Sequence, residues 1–168
     1  AIVGLEPSCL FTLRDEALAM GLGDAAQTVA GQAVMLEEFL AREAAAGRLE
    51  ALRQRLRPAT QPILLHGHCH QKAFAAVNPI LEVLKLIPGA QPQLIESSCC
   101  GMAGSFGYEA AHHDTSMQMA ELSLLPAVRQ HPDAIVVADG TSCRHQIHDG
   151  AQREAVHVAR LLADHLGG

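Results

Sequence analysis

Short apolar runs alternate along the chain with longer stretches in which apolar residues recur at helical spacing. Four such runs predict β-strands, at residues 1–5, 61–65, 92–95 and 134–138. Strands that alternate with helices are typical of a parallel sheet, because each crossover places a helix on one face of the sheet. We therefore predict an α/β fold with a parallel β-sheet flanked by helices.

Helical spacing predicts the segments that cover this sheet. They are residues 10–20, residues 24–57 with a break near Gly47, a stretch from residue 72 that is interrupted at Asn78 and Pro79, a stretch after Gly107, and residues 151–166. The segment 24–57 carries no obvious chemistry. We interpret it as an amphipathic cover packed on the sheet.

All of the cysteines follow predicted strands. The five are Cys9, Cys69, Cys99, Cys100 and Cys143. An odd number without a short Cys-x-x-Cys pair is a poor basis for a disulfide framework, so a reducing compartment and a metal or redox role fit better. The carboxyl ends of parallel strands meet at the edge of the sheet where ligands bind. We therefore expect these thiols to converge at that edge.

Two segments concentrate the candidate chemistry. After the second strand, residues 66–70 read His-Gly-His-Cys-His, which brings His66 and His70 close to Cys69 in sequence. After the third strand, the adjacent Cys99 and Cys100 are followed by glycines, including Gly101 and Gly104. Small residues let backbone amides approach a bound group, and a helix N-terminus favours negative charge. These segments predict a site for a metal or an anionic cluster.

Composition excludes several classes of function. The chain has 168 residues, a net charge of -6 and no basic block, so nucleic acid is not expected as a partner. No apolar run reaches the roughly 18 residues that a membrane helix needs, and no secretory leader is visible. We expect a cytoplasmic protein, or one held at the inner face of the membrane. The start without Met predicts a piece of a longer polypeptide.

The residues alone leave three functions open. Four or five thiolates suit an iron–sulfur cluster, and the function would then be electron transfer. The same donors suit a structural zinc ion, bound by four Cys or by three Cys and one His. As a third alternative, Cys99 and Cys100 cycle between a dithiol and a strained disulfide.

The start of the chain resembles a segment near its end. Residues 2–9 read Ile-Val-Gly-Leu-Glu-Pro-Ser-Cys, and residues 136–143 read Val-Val-Ala-Asp-Gly-Thr-Ser-Cys. Each has an apolar run, an acidic residue, a turn former and Ser-Cys. We interpret residues 1–15 as the tail of a preceding repeat that ends with Cys9. The strand at 1–5 is then expected in or beside the same parallel sheet.

The order Leu-His-Gly-His-Cys-His, Ser-Cys-Cys-Gly-Met-Ala-Gly-Ser-Phe-Gly and Thr-Ser-Cys-Arg-His-Gln resembles the cysteine-rich CCG domain of iron–sulfur oxidoreductases. Pro7-Ser8-Cys9 and the long helical segment before residue 60 are most similar to FAD-linked 2-hydroxyacid dehydrogenases of the D-lactate, glycolate or D-2-hydroxyglutarate type. The resemblance implies one CCG domain over 1–168, with a helical segment at 16–59 and a full repeat at 60–168.

The resemblance also implies a set of ligands and partners. Its metal ligands match Cys69, Cys99, Cys100 and Cys143, with Cys9 at the corresponding end of the neighbouring repeat. The expected cofactor is a 4Fe-4S cluster, which takes electrons from FAD in the missing part of the protein. The expected partners are flavin and ferredoxin-like domains of the same chain and a quinone or another acceptor.

Three histidines are expected to tune the cluster by hydrogen bonds to sulfur, or to replace a cysteine as ligand. They are His66, His70 and His145. The sequence departs from the family pattern at two positions. His68 stands where a proline is usual, and Cys143 lacks the second cysteine of a Cys-x-x-Cys pair. The second departure argues against a five-cysteine non-cubane cluster.

Overall fold

A four-stranded parallel sheet lies at the centre of the protein, whose computed structural model describes residues 1–167. The strand order is β4-β3-β5-β6, and every neighbouring pair is parallel. Its strands are β3 (Ile63–His66), β4 (Pro92–Leu94), β5 (Ile135–Ala138) and β6 (Ala155–Val156). A second parallel sheet pairs β1 (Ile2–Gly4) with β2 (Ala33–Met35). The predicted α/β class is confirmed.

Helices cover both faces of the central sheet. They are α1 (Pro7–Phe11), α2 (Ala17–Ala19), α3 (Asp24–Gln32), α4 (Leu36–Ala45), α5 (Glu50–Arg55), α6 (Cys69–Ala73), α7 (Asn78–Leu84), α8 (His113–Glu121), α9 (Leu124–Gln130), α10 (Thr141–Ala151) and α11 (Val158–His165). A π-helical turn (Thr12–Glu16) joins α1 to α2, and a 3-10 turn (Phe106–Tyr108) precedes α8.

The central strands read as continuous apolar runs because both of their faces are buried. On β3, Ile63 and Leu65 belong to one core cluster and Leu64 belongs to the other. On β5, Val137 faces the first cluster and Val136 the second. Each strand therefore contributes to two apolar layers, as expected for a parallel sheet between helices.

The predicted helix at 24–57 is wrong in one respect, since it contains β2. All three residues of β2 are buried, and Ala33, Val34 and Met35 pair with Ile2, Val3 and Gly4. A short apolar run fits a buried strand and a helix equally well, so tertiary pairing decides between them. The strand at the start of the chain is paired, but in this second sheet and not in the central one.

The C-terminal region also differs from the prediction of one helix over residues 151–166, with Cys143 in the loop before it. Cys143 instead lies inside α10, which ends where Gln152 takes a left-handed conformation with φ of 53°. The edge strand β6 follows, and then α11 begins. The left-handed residue breaks a pattern that apolar spacing alone reads as continuous.

Within residues 1–167, no helix combines the length and the apolar character needed to cross a membrane.

Candidate metal centre

Four cysteines reach one region of the molecule from three separate segments. Cys69 is the first residue of α6, directly after β3, and Cys143 lies in the first turn of α10, after β5. Cys99 and Cys100 lie in the loop that follows β4. Because β4, β3 and β5 are parallel neighbours, the segments that leave their carboxyl ends start from the same edge of the sheet.

The four sulfurs form a chain of neighbours. The Cys69 thiol donates to Cys99, and the Cys100 thiol donates to both Cys99 and Cys143. These bonds, from Cys100 first, lower the pKa of Cys99, and the bond from Cys100 lowers the pKa of Cys143. The same bonds, together with burial, raise the pKa of Cys69 and of Cys100. Four sulfurs this close cannot all be thiolates unless a cation joins them.

His66 completes the buried part of this group. One of its ring nitrogens lies within 4.8 Å of the Cys100 and Cys143 sulfurs, and all three residues are buried. Its Nδ1 is 2.9 Å from Ser97 Oγ. Its Nε2 is buried, and within residues 1–167 it has no hydrogen-bond partner. A buried nitrogen without a partner is costly, so this atom is available to a sulfur or to a metal.

Gly101 brings the backbone close to this centre. Its N–H donates to Cys99 Sγ at 3.3 Å, and its φ of 94° lies in the left-handed region that favours glycine. A Cβ on Gly101 would lie 2.2 Å from the backbone oxygen of Ser116. Gly104 also has a positive φ, of 68°, but a Cβ there would meet no atom within 4 Å. Only Gly101 is therefore required by close packing.

The other predicted histidines take different places. His68 Nδ1 accepts from the His70 N–H at 3.2 Å, which caps the start of α6, and lies 3.8 Å from Cys69 Sγ. The buried Nδ1 of His70 has no partner among the described residues. His145 is exposed, and its Nδ1 is 2.6 Å from the hydroxyl of Tyr108. His68, which the sequence does not single out as a site residue, is closer to a sulfur than this contact brings His145.

Cys9 lies on α1 with an exposed thiol. The preceding residue, Ser8, has its hydroxyl 3.5 Å from His68 Nε2, so α1 borders the centre. The carboxylate of Glu6 accepts from the backbone N–H and the hydroxyl of Thr141, at 2.9 and 2.8 Å. It thereby caps the helix that carries Cys143. The role of Cys9 as a ligand stays a prediction.

Lys72 holds the loop that leads to Cys99, although the sequence does not single it out. Its ammonium donates to the carbonyl oxygen of Ser97, to Ser97 Oγ at 3.2 Å and to the carbonyl oxygen of Ser98 at 3.1 Å. Burial lowers its pKa, and the nearby cysteines oppose this shift. A lysine in the turn after a strand gives no distinctive sequence signal, so only the folded chain reveals this contact.

We expect Lys72→Met to loosen this loop. The substitution keeps the aliphatic stem and leaves the Ser97 and Ser98 carbonyl groups without their charged donor, which should lower the free energy of unfolding by about 1–3 kcal/mol. Urea denaturation measures this change. Lys85→Met is the matched control, because Lys85 is exposed, and equal effects of the two substitutions would contradict the role of Lys72.

The chain is similar to one of the subunits that form the anaerobic glycerol-3-phosphate dehydrogenase of Escherichia coli (strain K12), with 30% identity over 111 residues, which are 66% of this chain and 28% of that protein. It is similar to the D-2-hydroxyglutarate dehydrogenase of Pantoea ananatis, with 28% identity over 149 residues, 87% of this chain and 14% of that protein. The E. coli (strain K12) D-2-hydroxyglutarate dehydrogenase is 41% identical over 59 residues, 35% of this chain and 6% of that protein.

These relatives are dehydrogenases or components of one. The chain is thus related to parts of oxidoreductases. It spans less than a third of the length of each of these relatives. No protein-family profile matches the chain, and no solved structure does.

Proposed function

We propose that the chain is an iron–sulfur electron-transfer module of a flavin-dependent 2-hydroxyacid oxidoreductase. The observation that supports this function is the convergence of Cys69, Cys99, Cys100 and Cys143 beside the unpartnered nitrogen of His66. Soft thiolate donors favour iron–sulfur clusters or zinc over hard cations. The similarity to dehydrogenases favours the redox cofactor among these two.

The residues present fit a 4Fe-4S cluster, which supplies one-electron transfer when it is bound. Cys69, Cys99, Cys100 and Cys143 would hold it through their sulfurs. The Gly101 amide, which already donates to Cys99 Sγ, would reduce the negative charge on sulfur, as would a donor nitrogen of His66. His70, His145, Gly104 and Cys9 would complete the surroundings. Burial of Cys100 and Cys143 would limit the access of water to the sulfurs.

The rest of the proposed pathway lies outside this chain. Since the chain matches only 14% of one D-2-hydroxyglutarate dehydrogenase, we take residues 1–168 to be a cysteine-rich CCG unit of a longer polypeptide. An FAD domain of that polypeptide would oxidise the substrate and deliver electrons, through a ferredoxin-like domain or directly. A quinone or another carrier would receive them.

A structural zinc ion is the second candidate. His66, Cys100 and Cys143 offer donors that lie within 4.8 Å of one another, and a fourth thiolate would complete the tetrahedral set that zinc prefers. In the third candidate, the Cys99–Cys100 disulfide pair, the thiols alone carry the redox change.

Anaerobic reconstitution with ferrous iron and sulfide tests the proposal. We expect about four iron and four acid-labile sulfide per chain, with broad visible absorption that bleaches when dithionite is added. A colourless protein that retains about one zinc and no labile sulfide under the same conditions would support the zinc site instead. A protein that retains no metal and forms a Cys99–Cys100 disulfide would support the thiol alternative.

A further inference from the structure

A second group of metal-ligating side chains lies buried away from the cysteines. It consists of Glu37 in the first turn of α4, Asp139 directly after β5 and His157 at the N-cap of α11. One ligand atom from each residue lies within 4.8 Å of the ligand atoms of the other two. Glu37 and Asp139 are each 0% exposed, and the His157 side chain is 14% exposed.

Two of the three side chains have well-defined partners. Asp139 Oδ2 accepts from Gln71 Nε2 at 2.9 Å, and Asp139 Oδ1 accepts from the backbone N–H of Val158 at 3.2 Å. His157 Nδ1 accepts from the backbone N–H of Ala159, so the ring proton lies on Nε2, which donates to the carbonyl oxygen of Leu5 at 2.8 Å. This arrangement is that of a neutral imidazole, which does not balance the charge of the Asp139 carboxylate.

Glu37 is the exception. Within residues 1–167, neither of its carboxyl oxygens has a hydrogen-bond partner, although both are buried. The adjacent Glu38 is satisfied, since its Oε2 accepts from Arg14 and from the backbone N–H of Met35. Burying a carboxylate without a partner is among the most costly arrangements in a protein. The Glu37 carboxyl, which faces Asp139 and His157, therefore lacks a cation or a proton.

A proton alone satisfies Glu37 poorly. Burial, followed by repulsion from Asp139, raises its pKa to about 9, which permits a neutral carboxylic acid. A buried carboxylic acid still needs an acceptor for its O–H, and Glu37 has none within hydrogen-bond distance among the described residues. The spacing of up to 4.8 Å between donor atoms is instead compatible with an ion at about 2.0–2.2 Å from each of them.

We propose that Glu37, Asp139 and His157 bind a divalent first-row metal ion such as Zn²⁺ or Mn²⁺. Two carboxylates and one imidazole suit these ions, whereas the soft thiolates of the other centre suit a cluster. The ion would bind through His157 Nε2, which would release its proton to solvent and give up its bond to Leu5. The two carboxylates then balance both charges of the ion.

The proposed ion would lie where several parts of the chain meet. Glu37 belongs to α4, Asp139 joins β5 to α10, and His157 starts α11. Asp139 is also linked through Gln71 to the backbone N–H of His68, which donates to Gln71 Oε1 at 3.0 Å. The ion would thus fix the turn that precedes Cys69 and the start of the helix that carries Cys143.

Titration of the metal-free chain with Mn²⁺, followed by electron paramagnetic resonance, tests this site. Mn²⁺ is the probe because it prefers oxygen and nitrogen donors to thiolates. We expect about one Mn²⁺ per chain in the wild type, a higher melting temperature when it is bound, and competition by Zn²⁺. Glu37→Gln, which keeps the shape and removes the charge, should weaken binding by at least about 100-fold.

Glu50→Gln is the matched control, because Glu50 begins α5 and is exposed. It should bind Mn²⁺ as the wild type does. His157→Gln provides a second test and should also weaken binding. A folded wild type that binds neither Mn²⁺ nor Zn²⁺ with this stoichiometry, or a Glu37→Gln chain that binds Mn²⁺ as tightly as the wild type, would overturn the proposal. Glu37 would then be a buried carboxylic acid.

Discussion

Replacing Cys100 with serine is expected to remove most of the iron that the chain retains after anaerobic reconstitution. Cys100 is buried and its thiol lies between those of Cys99 and Cys143. A serine hydroxyl is a poor substitute for a thiolate as a ligand of iron, so a cluster would lose its central support. Iron and labile-sulfide analysis measures the loss, and the visible absorption should fall in parallel.

The same substitution separates electron transfer from substrate oxidation in the longer protein that we propose. Substrate should still reduce the flavin, because that step takes place in another domain, while electron flow from the flavin to an acceptor should stop. Ser98→Ala is the control, since Ser98 lies in the same loop with an exposed side chain. Normal iron content and normal turnover in Cys100→Ser would make Cys100 a core residue only.

Much of the fold could be predicted because the strands of a parallel sheet are buried on both faces. Ile63, Leu64 and Leu65 form an unbroken apolar run, and the structure places them in β3 as expected. The two-stranded sheet was missed because Ala33, Val34 and Met35 fit helical spacing as well as strand spacing. Their pairing with β1 depends on residues about 31 positions away, and local pattern carries no information on such contacts.

The candidate centre was predictable to the extent that cysteine is distinctive. Five cysteines in a chain without a disulfide pattern point to their own chemistry. The acidic site was not predictable in this way. Glu37 and Glu38 are adjacent and look alike in the sequence, yet Glu37 is fully buried while Glu38 pairs with Arg14. Only tertiary packing separates a solvated carboxylate from a buried one.

Histidines show the same limit from the opposite side. His66, His70 and His145 form one group in the sequence because each lies near a cysteine. His66 lies beside the Cys100 and Cys143 sulfurs, whereas His145 follows the next turn of α10 outward and meets Tyr108. On a helix, residues two positions apart point in different directions, so nearness in sequence to Cys143 does not place His145 beside its sulfur.

Replacing Gly101 with alanine is expected to have the largest effect on folding of any single-methyl addition in the loop that carries Cys99 and Cys100. The added Cβ would lie 2.2 Å from the Ser116 backbone oxygen and 3.0 Å from Gln146 Nε2, at a φ of 94°. Gln146 Nε2 itself donates to that oxygen at 3.0 Å, so neither neighbour can move without breaking a buried hydrogen bond. Left-handed strain and overpacking together should cost roughly 2–6 kcal/mol.

Gly104→Ala provides the comparison for this prediction, because its φ of 68° is also positive but a Cβ there meets no atom within 4 Å. It should show the conformational cost alone, about 1–2 kcal/mol. Urea denaturation of both variants measures the difference, and iron retention should fall only in Gly101→Ala, since the shifted backbone would draw the Gly101 amide away from Cys99. Equal losses of stability in the two variants would mean that the loop yields around Gly101, and that close packing against Ser116 does not hold the paired cysteines in place.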